Sequence, residues 1–327
     1  MPLVGSPVIW TATAAGDGAT PVYEFRVAPA GGPFNVVRDF NPANSILWNP
    51  MQEGTYTIQV IVKNSFSATG GDSAIATYTA DSRVVGAGAV VSSTSNPLVA
   101  LYSAPPAPGG SMHVEFKPID SNGPWLSTAA QRIAPGESTN FLVAGMLPNT
   151  TYLMRHVLDD GTTSAPLTFA TGSLPTNLTF PSFMVQKAPG PGSDPTQNIV
   201  FHVGLDVPSG TVATVATDLA GNVVWYYDSV ANAFPSYAPS LVPGGTVLLL
   251  GGTLLDRQGG VTTVREVDLA GDTLRETNID AVNAELAALG QHAITDFNHD
   301  AQRLPNGDTA VLATSPRTIV VNGKPVL

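Results

Sequence analysis

The sequence predicts an all-β protein, with two β-sandwich domains followed by the first blades of a β-propeller. Three observations point there. Only 12% of the residues are charged, about half the usual share, while glycine (32) and proline (28) are plentiful. Apolar and polar residues alternate through VYEFRVA (22–28) and TYTIQVIVKN (55–64), as they do in half-buried strands, with turn-forming clusters between them. One pattern also occurs twice, as TDLAGNVVWYYD (217–228) and VDLAGDTLRETN (267–278), which sets Asp218 and Asp268 50 residues apart. A repeat of that length built from short strands is the signature of propeller blades.

Residues 1–84 form the first expected sandwich. The run from Trp48 through Gly54, Tyr56, Ile58 and Val60 resembles the core of polycystic-kidney-disease-type immunoglobulin-like domains, although the Gly-Asp-Gly usual in that family is missing after the tryptophan. Trp10, Trp48 and Tyr56 are read as packing residues, because aromatics bury large apolar areas. Residues 88–173 form the second sandwich. There Leu147-Pro-Asn-Thr-Thr-Tyr152, with Phe169 and Thr171 further on, resembles the second half of a fibronectin type III domain. The resemblance implies a core role for Leu147 and Tyr152. His113 and His156 are read as strand residues. Residues 174–198 hold seven prolines and glycines and read as a surface loop or linker. Short strands resume from residue 199 to 327, and Asp280–Gly290 reads as a helix capped by Asp280, with Val282, Leu286 and Leu289 on its apolar face.

Composition excludes several classes of function. The net charge of −11 and four scattered lysines leave no clustered basic surface, so no nucleic-acid partner is expected. With no cysteine there are no disulfides and no thiolate metal sites. No apolar run reaches 18 residues, so no membrane span is expected. MPLVGSPVIWTATAAG has neither a basic start nor a continuous apolar stretch, and so does not read as a signal peptide. No metal or cofactor is expected either, since the chain contains no His-Glu-x-x-His, calcium loop or phosphate loop.

Polar residues are dense in AITDFNHDAQRLPNG, where Asn298, His299 and Asp300 precede a Leu-Pro-Asn-Gly turn. One reading makes this a His-Asp hydrogen bond that fixes a blade corner. The other makes it a channel site, because residues on the innermost strands of a propeller converge. DLAGNVVWYYD, followed by FNHDAQRLPNGDTAVLATSPRTI, resembles the bacterial arylsulfate sulfotransferase family from about residue 175 onward. That resemblance implies a six-bladed propeller and transfer of a sulfuryl group from an aryl sulfate to a phenol. It also implies that His299 binds the sulfuryl group, with Asp300 setting its tautomer and Asn298 contacting substrate. Imidazole suits the chemistry, acting as a base when neutral and as a donor to oxyanions when protonated. Arg317 is read as solvated. Trp225, Tyr226 and Tyr227 are expected to pack between blades.

At roughly 40–50 residues per blade, residues 198–327 hold about two and a half blades. The sequence reading therefore expects an incomplete propeller, inactive by itself, whose nucleophilic histidine lies outside this chain. The family implies a secreted or periplasmic setting, and homo-oligomerisation stays open. A second reading is an extracellular binding or adhesion protein with a non-catalytic propeller. A third, a quinone-dependent dehydrogenase propeller, would need calcium ligands and a ring-stacking tryptophan, for which Trp225 is the one weak candidate.

Overall fold

The computed structural model describes residues 2–16, 20–65, 70–188, 190, 198–202, 211–252, 261–316, 319–321 and 324–326. Arg317 and most of the segment 189–197 lie outside them. Among the described residues the chain is all-β with one short helix and several sandwich-like sheets.

The first sandwich comprises β1 (Val8–Thr11), β2 (Pro21–Pro29), β3 (Asn35–Asn41), β4 (Ser45–Trp48), β5 (Gly54–Asn64) and β6 (Asp72–Ala80). β3, β2, β5 and β6 run in that order through one antiparallel sheet, and β1 pairs with β4 as a second layer. Alternate residues Tyr23, Phe25 and Val27 of β2 turn inward against Ile46, Trp48 and Ile58. The Trp48 ring meets Tyr56 and Tyr78 edge-on at 4.9 and 5.5 Å, the geometry that aromatic quadrupoles prefer. Trp10 packs on the same cluster, so these aromatics are core residues as the sequence suggested.

The second sandwich contains β7 (Val90–Ser93), β8 (Ala100–Ala104), β9 (Ser111–Pro118), β10 (Leu126–Ser127), β11 (Gln131–Arg132), β12 (Thr139–Val143), β13 (Thr151–Leu158) and β14 (Leu167–Ala170). One sheet runs β12-β8-β7. The other runs β10-β9-β13-β14, with β11 also on β9. Between them lie Tyr102, Met112, Val114, Phe116, Phe141 and Met154. At the start of β13 the Tyr152 hydroxyl accepts a hydrogen bond from the Leu147 amide at 2.8 Å, the corner tie of immunoglobulin-type sandwiches. Asn149 makes the intervening turn with φ +51°. We expect Tyr152→Phe to cost about 1–2 kcal/mol, because an amide is left without its partner, and urea denaturation will measure the loss. His156 is structural: its Nδ1 lies 2.9 Å from the Tyr102 hydroxyl, and burial pushes its pKa down. His113 sits 3.9 Å from Glu115 on the outward face of β9.

The last part opens with β15 (Ile199–Phe201), β16 (Val215–Asp218) and β17 (Val223–Tyr226), which form a three-stranded antiparallel meander. β18 (Ser236–Val242), β19 (Thr246–Gly251), β20 (Thr263–Val267) and β21 (Thr273–Asn278) form a four-stranded one. The repeated motif makes the same hairpin turn in both. Asp218 Oδ1 accepts from the amides of Ala220 and Asn222, and Asp268 Oδ1 accepts from those of Ala270 and Asp272. The glycines at 221 and 271 adopt φ near +90°, which a side chain would resist. Upstream, Leu178, Phe180 and Phe183 of the Pro/Gly-rich stretch pack on the first meander, with Phe180 edge-on to Tyr226 at 5.1 Å.

The helix α1 (Ile279–Ala288) begins earlier than expected, because β21 runs directly into it. Its cap is Asn278 rather than Asp280, with Oδ1 accepting from the amides of Asp280 and Ala281. The helix buries Ile279 and Ala281, and Leu289 is exposed rather than packed. The chain continues through β22 (Asp296–Arg303), β23 (Thr309–Thr314), β24 (Ile319–Val321) and β25 (Lys324–Val326). β22 and β23 pair and lie against the second meander, with Phe297 and Ala301 buried beside Ala238 and Leu250. β21 also runs parallel to β3 through a pairing of Glu276 with Arg38. This joins the second meander to the first sandwich in one eight-stranded sheet.

Candidate functional site

Asn298, His299 and Asp300 occupy a bulge in β22. Pairing with β23 jumps from Phe297↔Ala313 to Ala301↔Val311, which leaves the three residues between out of register. The buried side chains of Phe297 and Ala301 anchor both ends, so the bulge projects from a fixed base. His299 itself has φ +57°. A non-glycine residue in that region costs on the order of 1–2 kcal/mol. Bulges of this kind re-aim a side chain and gather next to active sites.

β18 carries a smaller irregularity between Tyr237 and Ser240, where two residues rather than three fall between paired positions, and there Ala238 has φ +47°. Both irregularities hold one non-glycine residue at positive φ, an alanine in β18 and a histidine in β22.

Around the bulge, Asn298 Nδ2 donates to Thr314 Oγ1 at 3.4 Å, and the Thr314 hydroxyl donates to Asp296 Oδ1 at 2.8 Å. His299 and Asp300 are exposed, and no hydrogen bond joins them. The following turn is held by Leu304, Asn306, Gly307 and Asp308 instead, with Arg303 bridging to the Gly307 carbonyl at 2.7 Å and to Glu266. The site thus offers an imidazole whose two nitrogens are open to a ligand, flanked by an amide and a carboxylate. His292, the other local histidine, is exposed beyond α1. Among the described residues no group of three or more His, Cys, Asp or Glu side chains could hold a metal ion.

Sequence reasoning missed a buried acidic junction. Asp268 is 5% exposed and Asp272 6%. Asn49, from the first sandwich, donates its Nδ2 to Asp272 Oδ2 at 2.6 Å. The hydroxyl of Ser95, from the second sandwich, donates to the Ala270 carbonyl at 3.1 Å. Burial, and then the neighbouring charge of Asp272, push the Asp268 carboxyl up to about 7. Its Oδ2 and the Oδ1 of Asn49 have no hydrogen-bond partner. Asp218, in the same motif, makes its turn at the surface. No signal within the motif separates the two.

Trp225 and Tyr227 are buried between the meanders. Trp225 stacks on Phe201 at 5.5 Å and donates Nε1 to the Leu269 carbonyl at 2.7 Å. Tyr226 is buried beside Phe180 and Val215. These aromatics are buried packing residues.

The fold and these contacts define an all-β protein of several sandwich-like sheets. No family model matches the chain, and no curated protein matches it. Among solved structures it is similar to a two-domain fibronectin type III segment of chicken tenascin. The identity is 17%, the match covers 53% of this chain and 95% of that one, and the TM-score is 0.21.

Proposed function

We propose that the chain is an arylsulfate sulfotransferase-like protein whose meanders, from β15 onward, are blades of a propeller, with His299 binding the sulfuryl group of an aryl sulfate. The observation that carries this reading is the three-residue bulge at 298–300, which holds His299 at φ +57° and projects an imidazole that has no hydrogen-bond partner among the described residues. In the reaction, the bond from sulfur to the donor phenol oxygen breaks, its electron pair leaves with the phenolate, sulfur ends bonded to the acceptor oxygen, and the proton lost by the acceptor hydroxyl ends on the departing phenolate. Charge on the three peripheral oxygens is what positioned donors stabilise, as in phosphoryl transfer. His299 supplies such a donor and Asn298 contributes a second N–H, while Asp300, the expected orienting partner, would have to close on the imidazole when substrate binds. The attacking nucleophile is assigned to no residue of this chain. A secreted or periplasmic location accompanies this reading, with an aryl sulfate and a phenol as partners.

Titration with 4-nitrophenyl sulfate, followed by NMR of the histidine side chains, tests the assignment. Hydrogen bonds to charged groups are worth about 1.5–3 kcal/mol, so His299→Ala is expected to weaken binding roughly 10- to 100-fold. Affinity within twofold of the parent would sink the proposal.

A second reading, an extracellular binding or adhesion protein, is favoured by a different observation. A groove of about 610 Å³ lies between the second sandwich and the meanders, lined by Trp125, Phe141, Phe201 and Trp225 among others. Saturable aryl sulfate binding that is lost with His299 would decide for the first reading.

A further inference from the structure

Independently of either reading, we infer that the chain pairs with a second copy of itself along the outer edge of β6. The two β6 strands run antiparallel about a twofold axis at Ala76.

The hydrogen-bond ladder identifies the groups that edge presents. The Ala30 amide donates to the Thr55 carbonyl at 2.8 Å, and the Ser65 amide to the Thr20 carbonyl at 2.9 Å. Both bonds join β5 to the β2 side, so the odd-numbered residues of β5 turn their backbone groups that way. By the alternation of an antiparallel ladder, Tyr56, Ile58, Val60 and Val62 turn theirs toward Tyr78, Ala76, Ala74 and Asp72 of β6. Ser73, Ile75, Thr77 and Thr79 therefore direct their N–H and C=O groups outward. Asp81 continues the series: its amide donates to the Pro2 carbonyl and its carbonyl accepts from the Val4 amide, both at 2.9 Å.

From Ser73 to Thr79 no strand among the described residues pairs along this edge. The chain is described without a break from Gly70 through the second sandwich, and every residue from Ser73 to Thr77 is exposed. Sheet edges are ordinarily blunted by lysine, proline, a bulge or short length. β6 has nine residues in unbroken register with β5, no lysine and no internal proline, and its one charge is Asp72 at its start.

The side chains fit a second copy. Tyr78 packs on the core cluster, so Ala74 and Ala76 share its face, and Ser73, Ile75, Thr77 and Thr79 share the other. With the axis at Ala76, Ser73 lies opposite Thr79 of the second copy and Ile75 opposite its Thr77, so every outward group finds a partner. On the core face small Ala74 meets large Tyr78. On the other, Ser–Thr and Ile–Thr pairs are favourable cross-strand contacts, and Ile75, 69% exposed, reaches its own counterpart on the diagonal. Asp72 falls opposite Ala80, so no charge opposes another. An axis at Thr77 would set Ser73 against Asp81, whose backbone groups are taken, and one at Ile75 would set Thr79 against Gly71, before the strand begins. An uncharged edge gives an oppositely charged partner nothing to select, whereas this one matches its own sequence.

The chain has no cysteine, so Ala76→Cys carries a single thiol. At the axis it occupies a non-hydrogen-bonded pair with Cα atoms about 4.5 Å apart, within disulfide range. Oxidation of the full chain is expected to cross-link Ala76→Cys at least tenfold faster than Thr79→Cys, whose two copies lie about 20 Å apart along the pair. Equilibrium sedimentation of the parent at micromolar concentration is expected to give twice 33.8 kDa. Ile75→Lys sets two like charges diagonally across the axis, and Thr77→Pro removes an outward N–H, a change that edge strands tolerate. Each is expected to weaken dimerisation at least tenfold with the far-UV circular dichroism unchanged. Should Thr77→Pro fail to fold, Ile75→Lys decides by itself. A parent that stays monomeric throughout the micromolar range, a dimer indifferent to Ile75→Lys, or equal cross-linking of the two cysteine variants would overturn the inference.

Discussion

Asp268→Asn is expected to stabilise the protein at pH 8 and to flatten its stability between pH 4 and 7. The Asp268 carboxyl titrates near 7 in the folded chain, raised first by burial and then by Asp272, against 3.8 when unperturbed. Between those two values the folded state holds a proton that the unfolded state has released, so stability falls as pH rises through this window. Above 7 the loss is complete. A rise of about three pKa units corresponds to about 4 kcal/mol, so this one carboxylate weighs heavily against a net stability of about 5–15 kcal/mol. Asparagine keeps an Oδ1 acceptor for the amides of Ala270 and Asp272 and cannot ionise. Asp272, also raised by burial, leaves a smaller residual slope of the same sign. Urea denaturation of parent and variant at pH 5 and pH 8 tests this, and parallel pH profiles for the two proteins would refute it.

Arg265→Met is expected to cost about 3–5 kcal/mol, the usual result of breaking a buried ion pair from one side. The guanidinium lies over the Phe234 ring at 3.9 Å, donates Nε to Glu276 at 2.6 Å and donates Nη1 to the Tyr227 hydroxyl at 3.0 Å. Its removal leaves the Glu276 carboxylate, on a residue 9% exposed, without its hydrogen-bonded cation. Glu276 also pairs with Arg38 where β21 meets β3, so the loss falls on the seam between meander and first sandwich. The double variant Arg265→Met/Glu276→Leu should recover much of the cost, because no buried charge is then stranded. Urea midpoints will show it. A single-variant loss below 1 kcal/mol, or a double variant worse than the single, contradicts the argument.

Features carried by neighbouring residues were legible before the structure. Alternation in 22–28 and 55–64 marks β2 and β5. The Leu147–Tyr152 run marks the corner of the second sandwich, and each Asp-x-x-Gly marks a hairpin turn. The helix was legible too, but its cap was not: Asn278 ends a strand and opens a helix in one residue, and Asp280 offered the more familiar pattern. At the candidate site, the types and order of Asn298, His299 and Asp300 were visible. The bulge and the left-handed backbone of His299 were not, because they depend on how β22 registers against β23.

The sequence by itself determined the strands, their turns and the repeat, since hydrophobic period and turn chemistry act over a few residues. Tertiary structure alone decided which copy of the repeat became buried. Asp218 and Asp268 sit in near-identical motifs, yet only Asp268 is buried, in a turn that Asn49 from another strand layer contacts at Asp272 and Ser95 from another sandwich contacts at Ala270. Desolvation is set by what packs over a group, and here the covering residues are far away in the chain.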